Sequence, residues 1–586
     1  MRVSGVIAIS VLILLAESSF AAQNIRLRAL PGTVRVRMEE PVTGEPVARV
    51  FCARGETESF QVVVTALRED LQAVEAEVTS LANKAGQSIP PENVVLFKEI
   101  SVPIRHSSRR ATVAPGLIPD PLAPFINPYT GEAVREPLLK NGKLEGGAFG
   151  AAGFDLWEGY NQPLWVDVRV PKDAAPGTYR GAVRVKAEGL EAEEIPVEVT
   201  VWDFVLPEGP TLENHFGGLG GIAGYHRIKP SSPEFHRLEE RYAAMMADHR
   251  INPPLPERLH PEIGKDGSAV FSDDLDRELT GFVEKHHLTN LDVPRAPFPH
   301  EPGEAGEQAR GFYRSWYAYL ERKGWEKGAY VYVLDEPNDA TAYAQVRQLG
   351  AFIHEAEPRL RRLVVEQPYT ENAAWGTLEG SIDIWCPLFG FIHEPSVRHA
   401  LARGEEVWSY TALVQRAPSG YYPDYAKVEN DNPPYWQIDF PVTAYRIAPW
   451  LNRRYGVTGL LYWSSVYWSS PDRNPWLDPG FRVRCNGEGS LFYPGDAAGI
   501  EGPVASIRLK NLRDGMEDYE YFTILEGLGG KEAVDRIVAA AVPTWGTWNQ
   551  KPNALPDLRR RLAQEIQRRL KDRIRLDTPS RGAGKQ

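Results

Sequence analysis

The chain has 586 residues, 66 Lys+Arg against 78 Asp+Glu, and a formal net charge of −12. That length suits two or three domains, and 42% hydrophobic with 25% charged residues is the balance of a globular protein with a large core. An acidic chain without basic blocks argues against nucleic acid and anionic membranes as partners. Gly 51 and Pro 48 make it loop-rich, yet short of the composition of a disordered chain. Its 15 Trp, 24 Tyr and 21 Phe fill a core in the bland reading; in the sharper one some of them stack on the apolar C–H faces of sugars.

The first residues read as a secretory leader. Arg2 supplies the charge, Val6–Ala16 the apolar stretch and Ser19-Phe20-Ala21 a small-x-small site, with cleavage expected after Ala21 (segment 1–21). The apolar run is too short to span a bilayer and no cysteine follows to take a lipid. The expected location is therefore secreted or periplasmic, with no membrane span. Cys52, Cys386 and Cys485 stand far apart, so at most one disulfide can form and no metal-binding spacing exists; neither metal nor cofactor is expected.

From 25 to 205 the chain shows short alternating runs: Thr33–Met38, Ser59–Leu67, Pro163–Val170, Gly181–Gly189 and Ile195–Phe204. Pro/Gly/Asp clusters separate them, the pattern of an antiparallel β-sandwich. Pro115–Gly153 is rich in Pro, Gly and Asn and reads as a surface excursion. After the Pro-containing junction Leu206–Asn214 the rhythm becomes strand, helix, strand.

Helices are expected near Pro233–His249, Asp273–His286, Glu304–Lys323 and Ala340–Glu357. Strands are expected at NHFGG (from Asn214), INPPLP (Ile251–Pro256), Leu288–Pro294, Ala329–Pro337, Leu360–Tyr369, Ile382–Phe389, Glu405–Val414 and Gly459–Trp468. Eight such units over 211–500 predict an α/β fold, a (β/α)8 TIM-type barrel, its strands apolar because helices cover them. Two amphipathic helices over 501–575 and a disordered 576–586 close the chain.

In such a barrel the chemistry sits at the C-terminal strand ends. AYVYVLDEP ends in Asp335 and Glu336. Two acids at the end of an apolar strand must reach solvent or be used, although a helix cap would account for them equally well. Around them the strand ends place Asn214 and His215, Tyr369, Trp385, Trp408 and Tyr410, and Tyr462, Trp463, Tyr467 and Trp468, an aromatic cup for a sugar.

Two-carboxylate glycosidases hold their acids about 5–9.5 Å apart on different strands. Here Glu366 is the best second acid, with Asp383 and Asp439 behind it. Lacking an obvious nucleophile, the pattern favours assistance by a substrate 2-acetamido group, with one carboxylate orienting the amide and one protonating the leaving oxygen. Strand neighbours point to opposite faces, so this requires a kink at the strand end.

VYVLDEPND (Val331–Asp339), IDFP…R…W…YGVTGLLYWSS (Ile438–Ser465), GEGSLFYPG (Gly487–Gly495) and SIRLKNLRDGMEDYEY (Ser506–Tyr521) resemble glycoside hydrolase family 123, the β-N-acetylgalactosaminidases. ETESFQVVV (Glu56–Val64) and WVDVRVPKDAAPGTYRGAV (Trp165–Val183) are similar to that family's N-terminal β-domain. The resemblance implies a sandwich, a barrel and a helical tail, and a retaining, substrate-assisted removal of terminal β-linked N-acetylhexosamine from a glycan or glycoconjugate. It implies Asp335 as amide orienter, Glu336 as general acid/base and, more loosely, a subsite of Tyr369, Trp385, Tyr410 and Trp463. A two-carboxylate glycosidase using Glu366 and a non-catalytic glycan-binding protein are the competing readings.

Other features read as structural. His286-His287 suits a capped helix end, and GGLGG (Gly217–Gly221) lacks the Lys-Ser/Thr of a phosphate loop. Arg109-Arg110 reads as surface charge that could reach over the cleft, and Asp514, Glu517 and Asp518 as partners for arginines of the closing helices.

Overall fold

The computed structural model describes residues 23–577 apart from 141–142, 146, 419–420, 423–432, 469–472 and 482–483. The leader, its cleavage site and the tail after 577 therefore lie outside the described residues.

The N-terminal region is two β-sheets around one apolar core. One has five strands, with Thr57–Ala66 paired to Ile25–Pro31 and Asn161–Arg169 in antiparallel register. The other runs through Leu71–Val78, Gly177–Lys186 and Glu193–Val205. Three expectations need correction. The first strand is Ile25–Pro31 rather than Thr33–Met38. Glu193–Val205 pairs Ala48–Arg54 in parallel, so the region is not purely antiparallel. The Pro115–Gly153 excursion contains a buried strand, Gly116–Pro124, laddered to Val94–Ile104.

The second region is a curled parallel sheet of seven strands among the described residues, in the order Glu213–Phe216, Gly459–Tyr462, Glu406–Thr411, Ile384–Trp385, Arg361–Val365, Ala329–Asp335, Leu291–Asp292. Helices Pro233–Asp248, Asp273–Lys285, Glu304–Lys323 and Ala340–Ala356 cover it. The oxygens of Ser232, Ser272 and Asp339 accept a backbone N–H at three of their starts, as N-caps do.

The eighth strand expected at INPPLP is absent. Pro253, Pro254 and Pro256 offer no N–H to a ladder. Side-chain amides bridge the gap instead. Asn214 N–H donates to Asn290 Oδ1 (3.0 Å) and Asn290 Nδ2 donates to Asn214 O (2.9 Å). Asn252 N–H donates to Asn214 Oδ1 (2.8 Å), and Thr289 N–H to Asn252 Oδ1 (3.1 Å).

Helix Ile507–Gly527 is not amphipathic, contrary to its expected pattern; it is buried on almost every side despite seven charged residues between Arg508 and Glu520. Its charges meet partners from each neighbour. Arg508 Nε donates to Asp120 Oδ2 at 2.9 Å, and Lys510 Nζ stands 2.8 Å from Asp167 Oδ2. Arg446, on helix Thr443–Tyr455, donates from Nε to Asp518 Oδ2 at 2.8 Å and lies 3.3 Å from Asp514. Glu517 faces Arg250 at 3.4 Å, and Glu520 accepts the N–H of Thr211 at 2.7 Å. Asp514, Glu517 and Asp518 thus pair with Arg446 and Arg250 as well as with Arg513 and Arg559 of the closing helices.

Burial works against ionisation of Asp167, yet Arg513 and Lys510 hold its carboxyl well below the usual range. Removing one member of a buried pair strands the other charge. Arg446→Met should therefore cost about 3–5 kcal/mol, read as a lower denaturation midpoint in urea.

Candidate active site

Side-chain alternation decides which residues face the interior of the curled sheet. Tyr330, Leu363, Val365, Ile384, Cys386, Trp408, Tyr410 and Leu461 form one cluster there, with Tyr332 and Ala412 against it. Their alternate neighbours, Val331, Val333, Val364, Trp385, Val407, Leu460 and Tyr462, belong to the outer core beneath the helices.

Strict alternation would send Asp335 outward and Glu336 inward. A β-bulge changes that. Tyr332 pairs Leu363, but Leu334 pairs Val364 and Asp335 pairs Val365, so Val333 and Leu334 both lie on the outer side and Asp335 takes the inward parity of Val365. The next residue, Glu336, has φ +40°, a left-handed backbone that costs a non-glycine residue about 1–2 kcal/mol. Its N–H still donates to Val365 O at 3.1 Å. Bulge and kink together put both carboxylates at the mouth, where they are exposed. Neither is the cap of the following helix; that role falls to Asp339, whose Oδ1 accepts Ala342 N–H at 2.8 Å.

Each acid has its own phenol. Tyr332 OH donates to Asp335 Oδ1 at 2.9 Å and Tyr410 OH to Glu336 Oε1 at 2.5 Å. Burial, followed by Asp335, pushes the Tyr332 hydroxyl far above the ordinary phenol range, and burial with Glu336 does the same to Tyr410. Both phenols therefore remain donors. His215 Nδ1 lies 2.7 Å from Tyr330 OH, and burial lowers its imidazole to about 4, leaving it neutral. Burial likewise keeps the Cys386 thiol protonated, and Cys52 and Cys386 are free.

The named candidates do not all converge. His215, Asp335 and Glu336 meet the inward tyrosines Tyr330, Tyr332 and Tyr410 at the mouth, whereas Trp463, one residue past the last strand, packs at the rim against the outer core and the Val414, Tyr435 and Phe440 cluster. Tyr369, in the loop after Arg361–Val365, stands in an aromatic wall 4.8 Å from Tyr422 and 5.2 Å from His393.

Two assignments are corrected. Asn214 is fully buried, its amide spent in the seam between the edge strands. Trp385 packs in the outer core and donates from Nε1 to Glu405 Oε2 at 2.7 Å. Trp408 and Tyr462 are buried too, and Trp468 donates to Phe492 O.

Asp383 is held by Arg362 at 2.7 Å and Asp439 accepts from Ser108 N–H and Asn486, so both are structural. Arg109 and Arg110 do reach the loops of the second region, at Arg484 O and Tyr435 OH. His286 and His287 pair with Glu240 and Glu208.

Sequence reading missed Asp292, which ends the strand beside Ala329–Asp335 and whose carboxyl burial pushes up to about 7. Its two-residue strand carries no readable phase; only its pairing with Tyr330 places it beside the inward tyrosines. Tyr421 and Tyr422 come from a loop with no such period. Among the described residues no group of His, Cys, Asp and Glu is placed to hold a metal ion, and no helix is long and apolar enough to cross a membrane.

Glu366 is 8% exposed and accepts the N–H of Gln367 at 2.9 Å. Burial, with the nearby charge of Glu336, pushes its carboxyl up to about 8. A carboxyl raised in the fold stabilises fully below its unfolded value of about 4.5 and loses that stabilisation as pH rises through about 8. Glu366→Gln should therefore leave the unfolding temperature unchanged near pH 4 and raise it by about 2–4 °C at pH 8, read in a thermal unfolding series.

Residues 307–525 match the family model described as Glycoside hydrolase 123, catalytic domain. No curated protein sequence matches the chain. Among solved structures, a family 123 glycoside hydrolase from Clostridium perfringens aligns over 94% of this chain and 100% of its own, with TM-score 0.65 and 13% identity. A Bacteroides ovatus GH5 xyloglucanase covers 80% of this chain and 98% of its own at TM-score 0.26 and 8% identity. A family 39 glycoside hydrolase from Bacteroides cellulosilyticus covers 80% and 82% at 0.30 and 9%. The chain thus carries a family 123 catalytic domain and is a glycosidase.

Proposed function

We propose that this glycosidase is an exported, retaining enzyme that removes terminal β-linked N-acetylhexosamine, N-acetylgalactosamine above all, with the substrate's own acetamide as nucleophile. The observation that carries the reading is the bulge-and-kink pair: two adjacent acids turned to one mouth, each hydrogen-bonded to a different tyrosine.

In this reading the acetamido carbonyl oxygen attacks the anomeric carbon while Asp335 accepts the amide N–H and disperses the charge that develops there. Glu336 gives its proton to the leaving oxygen, closing an oxazoline-type ring on the sugar. It then takes a proton from the water that reopens the ring. Tyr332 and Tyr410 keep the two carboxylates in place, so little reorganisation remains for the transition state. Trp463 and Tyr369 supply faces for the sugar.

The Clostridium perfringens enzyme with this fold is described in terms of glycolipid glycan hydrolysis, and a glycan or glycoconjugate end is the substrate proposed here. Export rests on the leader alone.

The two-carboxylate reading needs an ionised nucleophile. Glu366, raised to about 8, is mostly protonated at neutral pH, which counts against it.

Aryl β-N-acetylgalactosaminide, β-N-acetylglucosaminide and β-galactoside should be compared. Hydrolysis restricted to the acetamido sugars, with inhibition by a thiazoline mimic, is expected. Cleavage of the plain galactoside would overturn substrate assistance. Glu336→Gln should lower kcat by at least about 100-fold and Asp335→Asn by a similar factor, both with unchanged unfolding temperature. Glycan binding with no turnover in the wild type would select the non-catalytic reading instead.

A further inference from the structure

Trp463 stands at the rim just past the last strand, packed beside Leu413 and Tyr435, and its ring is tied to a buried acid. Its indole Nε1–H donates to Glu488 Oε1 at 2.7 Å, while the ring itself is only partly buried and lies 5.0 Å from Tyr467. Glu488 is 1% exposed. Its second oxygen accepts from Gln437 Nε2, and the same amide donates to Leu413 O at 2.9 Å. The carboxylate is therefore itself oriented by a group that bridges to the end of the neighbouring strand's loop.

The backbone around Glu488 is shaped for that approach. Gly489 has φ +69°, and a Cβ there would stand 2.4 Å from Cζ2 of the Trp463 ring. Its N–H donates to Tyr462 OH at 2.7 Å. On the other side of the tryptophan, a Cβ on Gly217 would meet the Trp463 carbonyl at 1.9 Å. The loop after the first strand and the Gly487–Ser490 segment thus close on the end of the last strand.

Taking a carboxylate out of water is costly unless its hydrogen bonds replace the lost hydration. An apolar residue would fill this space at lower cost if only packing were needed. What the acid adds is direction: an acceptor oxygen held by Gln437 at the indole N–H, which sets the orientation of the ring. We propose that Glu488 is a positioning residue that fixes the Trp463 ring as the stacking face for the sugar. This rests on the reading of the mouth as a sugar subsite.

The test uses the full chain, an aryl β-N-acetylgalactosaminide and a mutant cycle with Trp463→Phe, which keeps an aromatic face but has no N–H. Glu488→Leu should raise KM about tenfold, the loss of one buried hydrogen bond, with kcat within about twofold. Glu488→Gln keeps an acceptor and should raise KM about threefold. In the Trp463→Phe background both substitutions should change KM no further.

If the leucine variant does not fold, the glutamine cycle alone decides. Full additivity with Trp463→Phe, or a fall in kcat at unchanged KM, overturns the proposal. A KM unmoved by Trp463→Phe but raised by Glu488→Leu also overturns it, because the acid then acts without the ring. The catalytic reading stands or falls separately, on kcat in the Asp335 and Glu336 variants.

Discussion

The buried ion pairs of helix Ile507–Gly527 are the constraint on which the arrangement of the chain depends. A helix carrying Arg508, Lys510, Arg513, Asp514, Glu517, Asp518 and Glu520 cannot enter an apolar core unless each charge meets a partner. The partners come from the sandwich (Asp120, Asp167), from the helix before the last strand (Arg446), from the loop at Arg250 and from the junction at Thr211. Greasy surfaces tolerate sliding; these pairs do not. Sandwich and curled sheet therefore have one relative placement, and it brings the Arg109–Arg110 loop of the sandwich against Tyr435 in the loops around the mouth.

From that fixed frame the site follows by local backbone departures. The sheet supplies regular alternation, and regular alternation would have separated the two acids. One extra residue in the strand and one left-handed residue after it turn both to the same side. The strain at Glu336 is held by the hydrogen bond to Val365 and by the buried proline that follows. Strained backbone persists where the surroundings over-determine it, and such places cluster at functional sites.

Helix positions were legible almost to the residue, because the apolar periodicity over Glu304–Lys323 and Ala340–Ala356 is long and their ends carry Gly324 and the Asp339 cap. The acid pair was legible from its place after AYVYVL, and so was the need for a kink there. The aromatic cup was read too generously. Trp385 ends its strand one residue out of phase with the interior and Asn214 stands near the start of its own, and a strand of two residues such as Ile384–Trp385 is too short for its sequence to show its phase. The buried character of Ile507–Gly527 was illegible for another reason: its charges make it look solvated, and only the tertiary partners show otherwise. The strand expected at INPPLP does not form because its three prolines withhold the N–H groups a ladder needs.

The amide seam of Asn214, Asn252 and Asn290 has a mechanical meaning. A ladder ties two strands at every second residue, so inserting one residue flips or shifts everything above it. Here the described residues tie the sheet's two edges near its base by side-chain amides that branch from the backbone. The chain between Asn252 and Thr289 can therefore change in length without moving any strand out of phase with its neighbour. The curled sheet behaves as a strip fastened by a clasp at its base, and the rim that bears the acids is free of the register of its own closure.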